Sequence, residues 1–293
     1  MTGRPKIGII GAGALGTALG PALAAAGYPV VAVASRTIAA REALAGGIPG
    51  CHATTAQGVV EAAELVFLTT PDDAVEPTVA SLRWRAGVAA VHCSGALTLG
   101  PLTPAAAQGA SVGSLHPFQA FAERGHPELA TGIAWALEAA PPLDATLRQL
   151  VNDLKGWTIA VAPEHRVLYH AGAILACNYL VTLVKLATDL WEPLHMGRQQ
   201  AVRALLPLLR VTLENIERAG YPNCLTGPLS RGDAGTVRRH LEAIEQAAPQ
   251  VAAAYRALGL ATLPIAQAKG RFGAEREREL RDLLAGVSGD VTR

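Results

Sequence analysis

The run Lys6-Ile7-Gly8-Ile9-Ile10-Gly11-Ala12-Gly13-Ala14-Leu15-Gly16 constrains this chain more than any other. Ile7 to Ile10 is a short apolar run suited to a buried parallel strand. Gly11, Gly13 and Gly16 follow as Gly-x-Gly-x-x-Gly at the turn into an Ala-rich helix, Thr17 to Ala26. Each glycine answers a separate demand. Gly11 permits the tight turn, Gly13 lets a pyrophosphate approach the backbone, and Gly16 lets helix and strand pack closely. The helix N-terminus then offers free amides and the positive end of its dipole to phosphates. Such a motif alone is weak, since glycines recur in ordinary turns. Here a strand precedes it, a helix follows it, and a second strand, Pro29 to Ala34, comes next. Residues 11–16, including Ala12, Ala14 and Leu15, read as a dinucleotide-binding loop.

The end of that second strand indicates which dinucleotide. An NAD site usually places Asp or Glu there to bond the ribose 2′-hydroxyl. This chain has Ser35-Arg36-Thr37, and a hydroxyl beside a guanidinium suits a 2′-phosphate, which Arg grips with a planar fork of donors. Arg41, one turn into the next helix, is a second positive charge. The plainer alternative is a solvated Arg36 with Thr37 capping that helix. The expectation is NADP(H).

Composition sets the frame. The 293 residues allow two domains with a sizeable core. Half the residues are hydrophobic but only 4% aromatic, so the cores are built from Ala, Leu and Val. A net charge of +1 gives no sign of a nucleic-acid or membrane surface. Cys51, Cys93, Cys177 and Cys224 are widely spaced and form no metal pattern, which suits reduced thiols in a cytoplasmic protein. The first strand begins at Lys6, leaving no room before it for a signal peptide. The apolar stretch Val167 to Trp191 carries His170, Asn178, Lys185 and Asp189, which argues for a buried helix rather than a membrane span.

Strand and helix patterns alternate to about residue 161. Strands are expected at Leu65 to Thr69, Val88 to Cys93, Ser111 to Leu115, Ile133 to Glu138 and Trp157 to Val161, with a short segment near His52. Helices are expected around Ile38 to Ala45, at Asp72 to Trp84 with Asp72 or Asp73 as cap, near Leu99 to Gln108, and at Leu143 to Lys155. This is an α/β pattern with a doubly wound, mainly parallel sheet, in which ligands lie outside the carboxyl ends of the strands. After Ala162-Pro163 only helices follow. One runs to Trp191, and a second, Met196 to Ala219, should kink at Pro207 and stop at Gly220. The loop Tyr221 to Gly232 leads to a helix capped by Asp233, and shorter helices follow near 250–258, 263–269 and 274–285. The expected domains are 1–162 and 163–293.

Several residues suit chemistry, each with a plainer alternative. Thr70-Pro71-Asp72 follows a strand where the chain passes the cofactor's pyrophosphate, and it also makes a turn and cap. Ser94-Gly95 follows the next strand and is a substrate-side candidate or a simple turn. His116-Pro117 ends another strand at the functional edge, where an imidazole of pKa about 6.5 suits proton transfer near neutrality; it could equally hold the loop. At 100° per residue Asn178 lies about 80° and Lys185 about 60° around from His170, so the three share a stripe on an otherwise apolar helix. Buried polar groups need partners, which a substrate cleft supplies, and a desolvated Lys185 suits an acid. In the stretch 225–233 (Leu-Thr-Gly-Pro-Leu-Ser-Arg-Gly-Asp), Ser230 and Arg231 suit a substrate carboxylate; the plainer alternative is that Asp233 caps a helix and Arg231 pairs with it.

With the glycine loop, Ser-Leu-His-Pro-Phe-Gln at 114–119, Asn178-Tyr179-Leu180 and the stretch 225–233, nearly the whole chain resembles a bacterial group of Rossmann-like NADP oxidoreductases whose C-terminal half is a domain of unknown function. The group is related to pyrroline-5-carboxylate reductases, 6-phosphogluconate-type hydroxyacid dehydrogenases and ketopantoate reductases. The resemblance implies an N-terminal nucleotide domain and an all-helical, 6-phosphogluconate dehydrogenase-like C-terminal domain through which the chain forms homodimers. The hydroxyacid-dehydrogenase signature, Lys four residues before Asn, is absent: Asn178 precedes Lys185. His116 is therefore a rival to Lys185 as proton donor. The expected activity is NADPH-dependent reduction of a small 2-oxo acid, ketopantoate being the best single guess. An imine reductase of the pyrroline-5-carboxylate type and a non-catalytic NADP-binding sensor or scaffold are the alternatives. The partner set is a small-molecule substrate, with no metal, nucleic acid or membrane.

Overall fold

Apolar segments of four to seven residues, most of them fully buried, build one eight-stranded sheet in the computed structural model, which describes residues 4–286. The strands are β1 (Ile7–Ile10), β2 (Val30–Ala34), β3 (His52–Ala53), β4 (Leu65–Leu68), β5 (Ala89–His92), β6 (Ser111–Pro117), β7 (Ala134–Ala139) and β8 (Trp157–Ala160); the two-residue β3 is the exception in length and burial. Their order is β3-β2-β1-β4-β5-β6-β7-β8, with every pair parallel except β6 and β7. The chain reverses its direction of travel across the sheet between β1 and β4, so the expected doubly wound sheet is present, with a switch point beside the glycine loop.

Helices α1 (Ala14–Ala25), α2 (Ile38–Gly46), α3 (Ala56–Ala62), α4 (Asp72–Ala80), α5 (Thr103–Ala106) and α6 (Leu143–Asp153) cover the sheet. One core joins Ile7, Leu19, Phe67, Leu115, Trp135 and Leu147. The other joins Ile10, Val66, Val79, Ala90 and Leu102 on the opposite face. Phe67 and Trp135 are fully buried, and burial of each such side chain contributes roughly 1.5–3 kcal/mol or more. The connection from β6 to β7 carries a short 3₁₀ turn, Pro127–Ala130, packed on α1, and Gly125 donates its amide to the Thr17 hydroxyl at 3.1 Å.

The helical half contains α7 (Arg166–Ala173), α8 (Tyr179–Asp189), α9 (Arg198–Ala219), α10 (Gly227–Arg231), α11 (Ala234–Ala247), α12 (Pro249–Ala268) and α13 (Ala274–Ala285). The chain divides into two compact units, Met1–Cys177 and Asn178–Arg293, so α7 belongs to the sheet unit. In the second unit Val237, Leu241, Leu263, Leu280 and Leu284 form a core. α12 is one helix where two were expected: Gly259 reads as a break, yet Leu284 occupies the place its Cβ would take, 2.6 Å away. α9 runs through Pro207 as one helix and ends at Gly220 with φ 59°.

The helical run Pro163–Asp189 corrects an expectation. It is interrupted by a π-turn at Ile174–Asn178, and apart from Arg166 none of its residues is buried. Val167, Leu168, Leu175 and Val181 are each more than 60% exposed. Among the described residues this is the one helix long and apolar enough, at a mean hydropathy of 1.7, to cross a membrane. The polar stripe also fails as drawn. The wider π-turn shifts the phase on which it depended, Asn178 is exposed, and exposed Lys185 pairs with Asp189 at 2.5 Å.

Candidate active site

The glycine loop takes the form its spacing demands. Gly11 has φ +123° and donates its amide to the Ala34 carbonyl at 2.8 Å, and a Cβ there would lie 2.7 Å from the Thr69 carbonyl oxygen. A Cβ on Gly16 would lie 2.0 Å from the Gly11 carbonyl oxygen, so the helix approaches the strand only without a side chain there. A Cβ on Gly13 would meet nothing within 4 Å: the space above it is open. Gly13 is also the N-cap residue of α1, and no side chain caps that helix. Ala12 is buried, while Ala14 and Leu15 are half-buried in the first turn.

Around the loop stand the other expected cofactor residues. Thr69 donates its hydroxyl to the Gly11 carbonyl at 2.8 Å. The next hydroxyl, on Thr70, is buried with no partner among the protein atoms, and Pro71 is the N-cap of α4. Neither Asp72 nor Asp73 caps that helix. Asp72 instead accepts the Ser94 hydroxyl at 2.7 Å. Ser35 is half-buried and Arg36 exposed beyond β2, with no carboxylate at the strand end. Arg41 is held by the Thr54 carbonyl at 3.3 Å, so it is less free than Arg36, and Thr37 makes no capping bond.

Beyond the carboxyl ends of β5 and β6 lies a cluster the sequence only partly disclosed. His92 is fully buried; its Nδ1 accepts the Ser94 amide at 3.2 Å, so its Nε2 carries the proton donated to the Thr98 carbonyl at 3.1 Å. Both ring nitrogens of the neutral form are thus used, and burial pushes its pKa down to about 4. Ser94 in turn accepts the amides of Ala96 and Leu97 at 3.1 Å, which fixes the turn and leaves its hydroxyl committed to Asp72. His116 packs over Gly95, where a Cβ would lie 2.8 Å from its Cε1 and Nε2 and 3.0 Å from His170 Cδ2.

His116 differs in one respect from the expected imidazole. Burial, then His170 and Arg166, push its pKa down to about 4. Near neutrality it holds no second proton to give. Its Nδ1 lies 3.0 Å from the Tyr169 hydroxyl, whose pKa burial pushes up to about 12. Tyr169 and His170 stand on α7 three and four residues after Arg166, whose fully buried guanidinium donates through Nε to Glu138 at 2.8 Å. Sequence reasoning missed Tyr169 and Arg166. The signal available was Arg166-x-x-Tyr169-His170, polar residues at i, i+3 and i+4, but apolar neighbours on the same segment masked it.

The candidates in the helical unit are described apart, since they lie beyond the division of the chain. Asn178 is exposed at the end of the π-turn. Ser230 is buried and donates its hydroxyl to the Leu225 carbonyl at 3.2 Å, a structural use. Arg231 is exposed, and Asp233 caps α11 by accepting the Thr236 amide at 3.0 Å.

The profile of a Rossmann-like domain matches residues 1–117, and that of DUF2520, a domain of unknown function, matches residues 133–262. This chain joins a Rossmann-like domain to a DUF2520 domain. No curated protein matches the chain. Solved structures do. A Bacteroides fragilis protein described as an NADP oxidoreductase superposes with TM-score 0.71 at 24% identity, over 89% of this Rossmann–DUF2520 chain and 98% of its own. A reductive aminase from Aspergillus terreus, in complex with NADPH and ethyl levulinate, gives 0.63 at 21% identity over 95% and 99%. The 1-pyrroline-5-carboxylate reductase of Streptococcus pyogenes gives 0.60 at 16% over 95% and 99%. At these identities the likeness is one of fold.

Proposed function

We propose that the Rossmann–DUF2520 chain is an NADPH-dependent reductase of a small compound bearing a polarised C=N or C=O bond. The observation that carries this reading is the Tyr169–His116 pair, placed beyond the carboxyl end of β6 in the unit that holds the glycine loop. The loop fits the cofactor: Gly13 is open where a diphosphate approaches, the α1 N-terminus begins there with no side chain capping it, and the buried Thr70 hydroxyl lacks a partner. Ser35 and Arg36 would hold the 2′-phosphate, and Pro71 would border the ribose. Bound NADPH supplies the hydride.

The chain's own residues supply the proton and the positioning. In the Nδ1–H tautomer His116 donates to the phenol oxygen, which frees the Tyr169 proton for the substrate's nitrogen or oxygen. The same donor then steadies the phenolate, and the nearby Arg166 charge favours that anion. Ser94 is held by Asp72 and so shapes the floor rather than acting as an acid.

Charge favours an imine over the oxo acid. Arg166 is matched by Glu138 and the buried His92 and His116 imidazoles are neutral, whereas Asp72 is paired with the Ser94 hydroxyl and no cation. A carboxylate-bearing acid finds no free cation there, whereas a protonated imine is favoured. The 2-oxo acid reading, ketopantoate included, rests on Arg231, exposed in the helical unit. Asn178 remains a candidate for orienting substrate; Lys185, tied to Asp189, is the weaker one. Measured NADPH oxidation with cyclic imines, with amine–ketone pairs and with ketopantoate tests both readings. Turnover of imines but not ketopantoate is expected; tight NADPH binding with no turnover would favour a sensor or scaffold.

The reading includes a cytoplasmic homodimer formed through the helical unit. The exposed apolar side chains of α8 and α9 in that unit, among them Tyr179, Val181, Leu208, Val211 and Leu213, are more than isolated soluble chains usually carry. Sedimentation of the purified protein in detergent-free buffer checks it, and a monomer, or a protein that needs detergent, would count against it.

A further inference from the structure

Among the described residues Arg166 is the one charged side chain of the sheet unit that is wholly buried, and the reading above gives it no part in substrate binding. Its guanidinium reaches two different elements. Nε donates to Glu138 of β7 at 2.8 Å, and Nη1 makes a long bond of 3.4 Å to the Ser94 carbonyl, in the turn after β5. Nη2 has no partner among the protein atoms. Between those two strands lies β6, whose last residues are His116 and Pro117. One turn further along α7, on the same face, Tyr169 meets His116 Nδ1 at 3.0 Å and His170 packs its ring edgewise on His116 with centroids 6.4 Å apart. Val167 and Leu168, on the other side of the helix, are exposed, so apolar packing there does not fix α7 on the sheet.

Burying an ion pair seldom adds stability, because the desolvation penalty offsets the attraction and an apolar side chain of similar size would serve as well. The pair must then be explained by what it positions. We propose that Arg166 is a positioning residue, its guanidinium clamping the first turn of α7 between β7 and the turn after β5 so that the Tyr169 hydroxyl rests on His116. The clamp also sets the electrostatic surroundings of His116, which faces Tyr169, His170 and Arg166 from α7, Asp72 from α4 and His92 from β5. Of these, Arg166 holds the fixed positive charge, which discourages a proton on the imidazole and encourages one to leave the phenol.

The inference rests on the reductase reading only for its kinetic arm. The test compares the full-length protein with Arg166→Met, which keeps the volume, and Arg166→Lys, which keeps the charge but loses the fork. Two quantities are read: the midpoint of the His116 imidazole by NMR titration, and kcat with the best imine. For Arg166→Met the midpoint should rise measurably, burial and His170 still holding it below the ordinary value, and kcat should fall roughly tenfold to a hundredfold with the Kd for NADPH unchanged. For Arg166→Lys the midpoint should stay low while kcat remains depressed. If Arg166→Met does not fold, Arg166→Lys decides alone. An unshifted midpoint with kcat within twofold in Arg166→Met, or full kcat in Arg166→Lys, would overturn the proposal. A wild-type protein that turns over no substrate refutes the reductase reading instead, and the His116 midpoint then decides the clamp by itself.

Discussion

Tyr169 and His116 share one hydrogen bond between a phenol pushed up to about 12 and an imidazole pushed down to about 4. Neither group changes charge between pH 6 and 9. With Tyr169 as donor, kcat should therefore be level across that range. A rate that declines between pH 6 and 7.5 would instead point to an unshifted imidazole as the acid. Tyr169→Phe should lower kcat by about 10²-fold while leaving NADPH affinity within twofold, read by steady-state kinetics beside fluorescence titration.

The same depressed imidazoles make stability depend on pH. The unfolded chain binds a proton at each histidine near pH 6.5, whereas folded His92 and His116 do so only near 4. Between those values the unfolded state holds more protons, so stability is full above about 6.5 and declines as pH falls toward 4. Each histidine contributes up to about 1.4 kcal/mol per pH unit in that window. Melts at pH 7 and 5 should show the loss. His92→Gln, which cannot be charged, should make the dependence shallower; an equal slope in the variant would reject the assignment.

Cofactor choice tests the end of β2. Exposed Arg36, with no acidic residue at the strand end, should give NADPH at least a tenfold tighter Kd than NADH, about 1.4 kcal/mol. Arg36→Asp should erase or invert the preference. Titration of both cofactors against both proteins settles the matter, and equal affinities in the unmodified protein would sink the prediction.

Gly13 and Gly16 should answer differently to the same substitution. A methyl at residue 16 collides with the Gly11 carbonyl at 2.0 Å, so Gly16→Ala should lower the melting temperature and abolish NADPH binding together. A methyl at residue 13 enters open space, so Gly13→Ala should keep its melting temperature and lose affinity for NADPH alone. Calorimetry of both variants with and without cofactor separates them; equal NADPH affinity in Gly13→Ala would remove the phosphate from that place.

How far the sequence could be read follows from how local each signal is. The glycine loop, the strand runs and the Asp233 cap are set by near neighbours, and those elements appear where spacing puts them. Asp72 was misread as a cap because its partner Ser94 lies a strand away. Lys185 was drawn into a stripe by assuming an unbroken 100° rotation, which the π-turn at Ile174–Asn178 interrupts. His116 is legible from its place at a strand end, but its lowered pKa depends on burial first and then on His170 and Arg166, which only the folded chain brings near. Burial of the long helix was inferred from its composition, and composition cannot say whether the covering surface belongs to the same chain.

Because β7 runs against β6, the connection of residues 118–133 leaves and re-enters the sheet on the edge where His116 ends its strand. A parallel crossover would have carried the chain away to the far edge. The reversal instead lays a long, polar, turn-rich rim beside α1, moored by Gly125 on Thr17 and by the turn Pro127–Ala130. Such a rim is free to be lengthened, shortened or rewritten without disturbing the strand register, since no ladder bond runs through its outer half. It gives evolution, or a protein engineer, one exchangeable segment through which to retune the surroundings of Tyr169, against whose ring Phe118 already packs.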